Sequence, residues 1–281
     1  MMSDIYGSSV IGSTVRETPA PQRIRWTPEL VESFWDGVAQ TRLVSLSFSK
    51  LAGKSLVVAI DHLLPRSGSI LDYGAGDGDL IRLLCERGLR AAAYEPSIQR
   101  SENLRELLND CEGFLGVVRA DTEKSFDVVI MAEVIEHILD EQLSGALTRL
   151  SSLVRTGGLL VVSTPNNEDL ELSMAYCPVS NTLFHRWQHV RSFTDKSLVA
   201  LLGKYGFEEI ATHRVEFNDS LYVPYDPIWG ETVAESNLPF HIKSLRSNQP
   251  TNIAGETNIL FIGRRGATVN KADGASARRE S

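Results

Sequence analysis

The chain has 281 residues, 42% of them hydrophobic and 23% charged, which supplies one sizeable core and excludes a disordered or fibrous protein. Its formal net charge of -8 counts against a nucleic-acid substrate, because phosphate contacts need Lys and Arg. Cys85, Cys111 and Cys177 form no Cys-x-x-Cys pair, which excludes a disulfide framework and fits reduced thiols in a cytoplasmic protein.

Residues 1–22 are rich in Ser, Thr, Pro and Gly and are expected to form a disordered tail, as are residues 265–281. Met1–Pro21 has no apolar core of a secretory signal, and no apolar run reaches the ~18 residues of a membrane span, so no membrane insertion is expected. Residues 23–66 read as an N-terminal helical cap. Thr27 suits an N-cap, Pro28 the first helical position, and Leu30, Val31, Phe34, Trp35 and Val38 follow at helical spacing. A second helix is expected over Ser55–Leu64, stopped by Pro65.

Residues 67–264 alternate between strand and helix patterns. Strands are expected at Ser69–Tyr73, Ala91–Glu95, Phe114–Val118, Phe126–Met131 and Leu159–Ser163. Helices are expected at Asp79–Arg87, Pro96–Leu108 and Glu141–Val154. Such alternation implies an α/β fold, a doubly wound parallel sheet covered on both faces. Asn166–Arg191 reads as irregular, Asp195–Tyr205 as a helix, and Phe207–Phe217 and Asn258–Arg264 as strands. Residues 218–257 form an insertion with four prolines and several aromatics, expected to shape an acceptor pocket. Tyr222, Tyr225, Trp229 and Phe240 would line that pocket or form the insertion's own small core.

The turn after the first strand reads Ile70-Leu71-Asp72-Tyr73-Gly74-Ala75-Gly76-Asp77-Gly78-Asp79. Gly74 and Gly76 permit a tight turn and close backbone approach to a ligand. Glu95 lies 23 residues beyond Asp72, the spacing of a carboxylate that grips ribose hydroxyls. The third glycine of a dinucleotide fingerprint would fall at Asp79. Asp77 and Asp79 would repel a pyrophosphate at the helix start, whereas a cation is welcome there.

These residues, with Phe126-Asp127-Val128-Val129 and Arg155-Thr156-Gly157-Gly158-Leu159-Leu160-Val161-Val162-Ser163-Thr164-Pro165-Asn166, resemble the motifs of class I S-adenosylmethionine (SAM)-dependent methyltransferases. The resemblance runs from about Ser69 to Phe207. It implies a Rossmann-like, mostly parallel seven-stranded sheet and SAM as cofactor. It also implies cofactor contacts from Asp72, Gly74, Gly76, Gly78, Glu95 and Glu133. At the end of strand three the chain offers Arg119-Ala120-Asp121, where the family often has an Asp followed by a small residue to hold adenine. An NAD-dependent oxidoreductase and a non-catalytic SAM-binding scaffold subunit are the rival classes.

A second cluster follows strand four: Glu133-Val134-Ile135-Glu136-His137. If that turn is helical, Glu133, Glu136 and His137 share one face. His185 and His189 follow in Phe184-His185-Arg186-Trp187-Gln188-His189-Val190-Arg191-Ser192-Phe193-Thr194. Three readings stand. The residues are structural; His137 or His189, with Glu133 beside them, does acid–base chemistry; or Glu133, Glu136, His137 and His189 hold a divalent metal. The last set is similar to that of small-RNA 3′-terminal 2′-O-methyltransferases. The same wording is similar to small-molecule methyltransferases that use no metal, and the acidic charge favours these. The expectation is therefore methylation, by preference on oxygen, of a small-molecule or saccharide- or lipid-type acceptor, without a metal. Nothing in the sequence sets the oligomeric state.

Overall fold

The computed structural model describes residues 19–119 and 121–267. The expected tails over 1–22 and 265–281 lie largely outside these residues. Their described edges are ordered: Gln22–Arg23 forms strand β1, and Arg265 closes the last strand.

Helix α1 (Pro28–Ala39) starts as its sequence predicts. Pro28 takes the first position and the Thr27 hydroxyl accepts the Leu30 N–H at 3.3 Å. Helix α2 (Phe48–Ile60) begins seven residues before the expected Ser55. Gly53 disguised its first turns, and packing explains that glycine: a Cβ there would stand 2.7 Å from Leu83 Cδ1 on the next helix. The helical run Arg42–Leu63 is long and apolar enough to cross a membrane, which the sequence reading did not expect. Its Leu56–Ile60 segment is buried in the core, so here the apolar face serves packing.

The central sheet comprises β2 (Ile70–Tyr73), β3 (Ala91–Tyr94), β4 (Phe114–Val117), β5 (Phe126–Ala132), β6 (Val154–Pro165), β9 (Phe207–Val215) and β10 (Asn258–Arg265). Its order is β4-β3-β2-β5-β6-β10-β9, parallel except for β10. Side chains alternate between two cores across it. Ile70, Val128, Ile130, Val161 and Leu260 pack with α2, α3 (Asp79–Glu86) and α4 (Ile98–Leu107). Leu71, Val129, Met131, Leu160 and Phe261 pack with α5 (Asp140–Leu153) and α6 (Asp195–Gly203). Strand order reverses between β2 and β5, and an open α/β sheet binds its ligand at the carboxyl ends of the strands there.

Two segments differ from expectation. Asn166–Arg191 is not irregular: β7 (Met174–Cys177) and β8 (Thr182–His185) form a hairpin, and β8 pairs with β1. Strands of four residues leave too little alternation to detect. The insertion carries α7 (Asp219–Tyr222) and α8 (Phe240–Arg246). Tyr222, Leu238, Ile242 and Leu245 are buried in the same core as α2, Tyr225 and Trp229 pack against it, and Phe240 faces solvent. Arg87, buried between Asp61 and Asp226 and stacked 4.4 Å from the Trp229 ring, ties the insertion to α3. The insertion braces the back of the helical layer, and none of its four aromatics lines the cavity described below.

Candidate active site

A cavity of about 780 Å³ opens at the carboxyl ends of β2, β3 and β5. One end is built by the glycine turn. Gly74, Gly76 and Gly78 all have left-handed backbones, with φ of 87°, 55° and 81°. Their surroundings give them different tasks. A Cβ on Gly74 would stand 2.6 Å from Val134, and one on Gly78 would meet Leu104 and Leu108 at 2.9 Å. A Cβ on Gly76 would meet only the tip of Arg100, at 3.0 Å. Gly76 therefore keeps its backbone open to the cavity, whereas Gly78 lies off the cavity wall and allows α4 to pack.

Glu95 closes this end. Its carboxylate accepts the N–H groups of Gly76 and Ser97, each at 3.1 Å, and stands 3.9 Å from Arg100. Burial pushes its carboxyl up, while Arg100 and the two N–H groups oppose that shift. Asp72 lies beneath the turn and does not line the cavity. Burial, then Glu95 and Asp79, push it up to about 7. The open backbone at Gly76 and the carboxylate at the rim fit the ribose and cationic methionine part of SAM, which carries no phosphate.

The cavity also has an apolar and aromatic lining: Val31, Trp35 and Val38 from α1, then Phe48, Trp187 and Phe217. Trp35 reaches across to the histidines. Its Nε1–H donates to Gln188 Oε1 at 3.0 Å, and its ring meets that of His137 edge-on at 5.0 Å.

The turn Glu133–His137 is not helical, and Glu133 has φ 53°. Glu133 lines the cavity but stands outside the group that Glu136, His137 and His189 form. Its Oε1 accepts Asn258 Nδ2 at 3.1 Å, and burial pushes its carboxyl up to about 7. Glu136 does not line the cavity: its Oε2 accepts Thr164 Oγ1 at 3.0 Å, and its Oε1 lies 3.8 Å from His137 Nε2. Burial, then Glu133, push it well above the usual carboxylate range. His137 and His189 do meet on the cavity wall, with ring centroids 4.8 Å apart. The two motifs are stapled by Gln188 Nε2 to His137 O at 3.0 Å, Val190 N to Glu136 O at 3.0 Å, and Arg191 Nη1 to Ile135 O at 2.9 Å. Burial, then His189, push His137 down to about 3, so it stays neutral and is a poor base.

The alternative four-ligand metal set is not assembled among the described residues. Glu136, His137 and His189 bring ligand atoms within 4.8 Å of one another, and Glu133 stays with Asn258. A second group, Glu168, His185 and His189, shares His189. Glu168 carries no signal in the sequence, because Asn166-Asn167-Glu168-Asp169 matches no motif. The His185-x-x-x-His189 spacing was the visible half of the group. Asn258, Trp187, Trp35 and Arg100 also line the cavity without a motif to mark them.

A family model described as "Methyltransferase domain" matches residues 49–212. The ubiquinone biosynthesis O-methyltransferase of Azorhizobium caulinodans is 28% identical over 174 residues, 58% of this chain and 64% of that protein. The protein of the same name from Mesorhizobium japonicum is 34% identical over 128 residues, 42% of this chain and 48% of that one. The chain thus spans about half to two thirds of the curated relatives it matches. Among solved structures, the Burkholderia thailandensis 1,6-didemethyltoxoflavin-N1-methyltransferase, bound to 1,6-didemethyltoxoflavin and S-adenosylhomocysteine, superposes with a TM-score of 0.54 at 16% identity. That match covers 88% of this chain and 95% of that one, and at this identity it shows the fold. The family match covers the glycine turn, Glu95 and β5, which ends just before Glu133, so the chain belongs to the methyltransferase-domain family, that of the class I SAM-dependent methyltransferases.

Proposed function

We propose that the chain methylates a hydroxyl oxygen of a small, largely apolar, aromatic acceptor, with His189 as the base. One observation carries this reading. His189 lines the same cavity as Trp35, Phe48, Trp187 and Phe217, while burial holds its neighbour His137 neutral. The relatives named for O-methylation in ubiquinone biosynthesis support oxygen as the acceptor. The walls from Trp35, Phe48, Trp187 and Phe217 suit an aromatic ring better than a sugar.

Bound SAM supplies an electrophilic methyl on a sulfonium. The chain's own residues do the rest. Gly76 and Glu95 hold the nucleoside end, the α1 wall excludes water, and the aromatic side chains orient the acceptor hydroxyl towards the methyl. His189 takes the hydroxyl proton as the new C–O bond forms. An acceptor screen scored by S-adenosylhomocysteine release tests the reading. With the best phenol or catechol found, His189→Asn should lower kcat by about 10²–10⁴-fold with SAM affinity unchanged. A wild-type rate in that variant would refute the base assignment.

A further inference from the structure

Glu168 and His185 stand behind His189, outside the cavity lining. His185 is buried, and both its ring nitrogens are committed. Its Nδ1 accepts the backbone N–H groups of His189 at 3.0 Å and Trp187 at 3.3 Å, so Nδ1 carries no proton. The ring proton therefore sits on Nε2, which donates to Glu168 Oε1 at 3.2 Å. The Ser173 hydroxyl donates to that same oxygen at 3.2 Å. The remaining oxygen, Oε2, faces Nδ1 of His189 at 2.5 Å. The rings of His185 and His189 stack 4.4 Å apart, which fixes their relative tilt. Burial alone would raise the Glu168 carboxyl, but the bonds from His185 and His189 outweigh it and hold Glu168 well below the usual carboxylate range.

We infer that Glu168, braced by His185, is the positioning residue that locks His189 in the tautomer with Nδ1 protonated and Nε2 free to accept a proton. The inference rests on the proposed role of His189. Glu168 as a carboxylate can only accept, so Nδ1 of His189 must donate. Among the described residues, no hydrogen bond occupies Nε2 of His189. In the transfer, the acceptor oxygen gains the methyl carbon, the C–S bonding pair stays on sulfur, and the acceptor proton passes to Nε2 of His189. The imidazolium so formed lies against the Glu168 carboxylate, which offsets its charge without itself taking the proton.

The same donor and acceptor pairing predicts an unusual effect of Glu168→Gln. The amide must present its oxygen to one histidine and its NH₂ to the other. His185 is fixed as a donor by its two backbone partners, so the amide oxygen goes to His185 and the NH₂ faces Nδ1 of His189. That donor pushes the proton of His189 to Nε2, the wrong tautomer for a base. The shape of the site is almost unchanged.

Ring-nitrogen NMR of the ¹⁵N-labelled full chain near neutral pH reads this without any acceptor. The chain has six histidines, and the signal that vanishes in His189→Asn assigns the residue. The expected wild-type spectrum shows His189 protonated at Nδ1 with an unprotonated Nε2, and Glu168→Gln moves the proton to Nε2. A wild-type His189 protonated at Nε2, or a tautomer unchanged in Glu168→Gln, overturns the inference. In turnover, Glu168→Gln should lower kcat by at least about 10²-fold with SAM affinity held. Glu168→Asp, which can still only accept, should recover part of that loss. If the spectra are as inferred but His189→Asn turns over at the wild-type rate, the base reading falls and the tautomer network stands.

Discussion

Replacing Gly76 by alanine separates cofactor binding from folding. Gly76 has φ 55°, a conformation that costs an L-residue roughly 1–2 kcal/mol. The added Cβ meets nothing in the protein except the tip of Arg100 at 3.0 Å, and a flexible guanidinium can yield. Stability should therefore fall by that backbone term alone, roughly 2–4 °C in Tm for each kcal/mol. Gly76 lines the cavity, so the Cβ takes up space on the wall where the cofactor is expected to lie. SAM affinity should drop by at least about tenfold, or ~1.4 kcal/mol, and more for Gly76→Val. Gly74→Ala and Gly78→Ala make the contrast. Their Cβ atoms meet Val134 at 2.6 Å and Leu104 and Leu108 at 2.9 Å, so overpacking adds roughly 1–3 kcal/mol to the same backbone strain. Titration calorimetry with SAM gives the affinities, and thermal melting of the unliganded protein gives the stabilities. The reasoning is refuted if Gly76→Ala binds SAM within about threefold of wild type, or if it melts below the other two.

Glu95→Ala should weaken SAM binding by roughly 1–3 kcal/mol, since it removes a charged acceptor and frees the Gly76 N–H it holds; unchanged calorimetric affinity would contradict this. Asp72 keeps its proton in the fold up to about pH 7, against an ordinary value of 3.8. The fold thus binds more protons than the unfolded chain across that window, and its stability falls as pH rises through it. Asp72→Asn should therefore gain in Tm relative to wild type between about pH 4 and about pH 7, and a constant difference would count against the assignment. Activity should survive exhaustive EDTA treatment, because Glu133 is held by Asn258 and Glu168 already occupies Nδ1 of His189. Loss of activity restored by Mn²⁺ or Co²⁺ would make Glu136, His137 and His189 metal ligands.

The cofactor half of the site was legible because its parts are contiguous. The glycine turn and Glu95 come from one β–α–β stretch, and its hydrophobic alternation places both at strand ends. Asp72 and Gly78 belong to the same motif, yet one lies under the turn and the other packs against α4. Motif membership marks a residue as needed without saying for what. The histidine cluster was half legible. A helical turn would put Glu133 on one face with Glu136 and His137, but its left-handed backbone turns it towards Asn258. Glu168 was invisible because an isolated carboxylate in a loop has no pattern. Only the hairpin β7–β8, itself too short to predict, returns His185 and His189 to it.

The acceptor half follows a different logic, and the placement of α1 shows why its ligand is hard to read from sequence. No residue of α1 is fully buried, so its apolar face is not used up in the core. That face lines the cavity through Val31, Trp35 and Val38. The helix is fastened to the histidine loop by the bond from Trp35 to Gln188 and by its edge contact with His137. A wall built this way can change its side chains without disturbing the sheet, since few core contacts depend on them. The histidine loop is constrained far more tightly, because Arg191, Gln188 and Glu168 each satisfy several polar groups at once. The divide predicts where related chains can diverge in substrate: along Val31, Trp35 and Val38 rather than at His185, His189 or Glu168. Trp35→Phe tests this within one chain. It keeps the aromatic wall but removes the N–H that reaches Gln188. It should shift KM among phenolic acceptors of different width while the His189 tautomer stays as in wild type. A changed tautomer with unchanged acceptor preference would place Trp35 with the histidine loop instead of the wall.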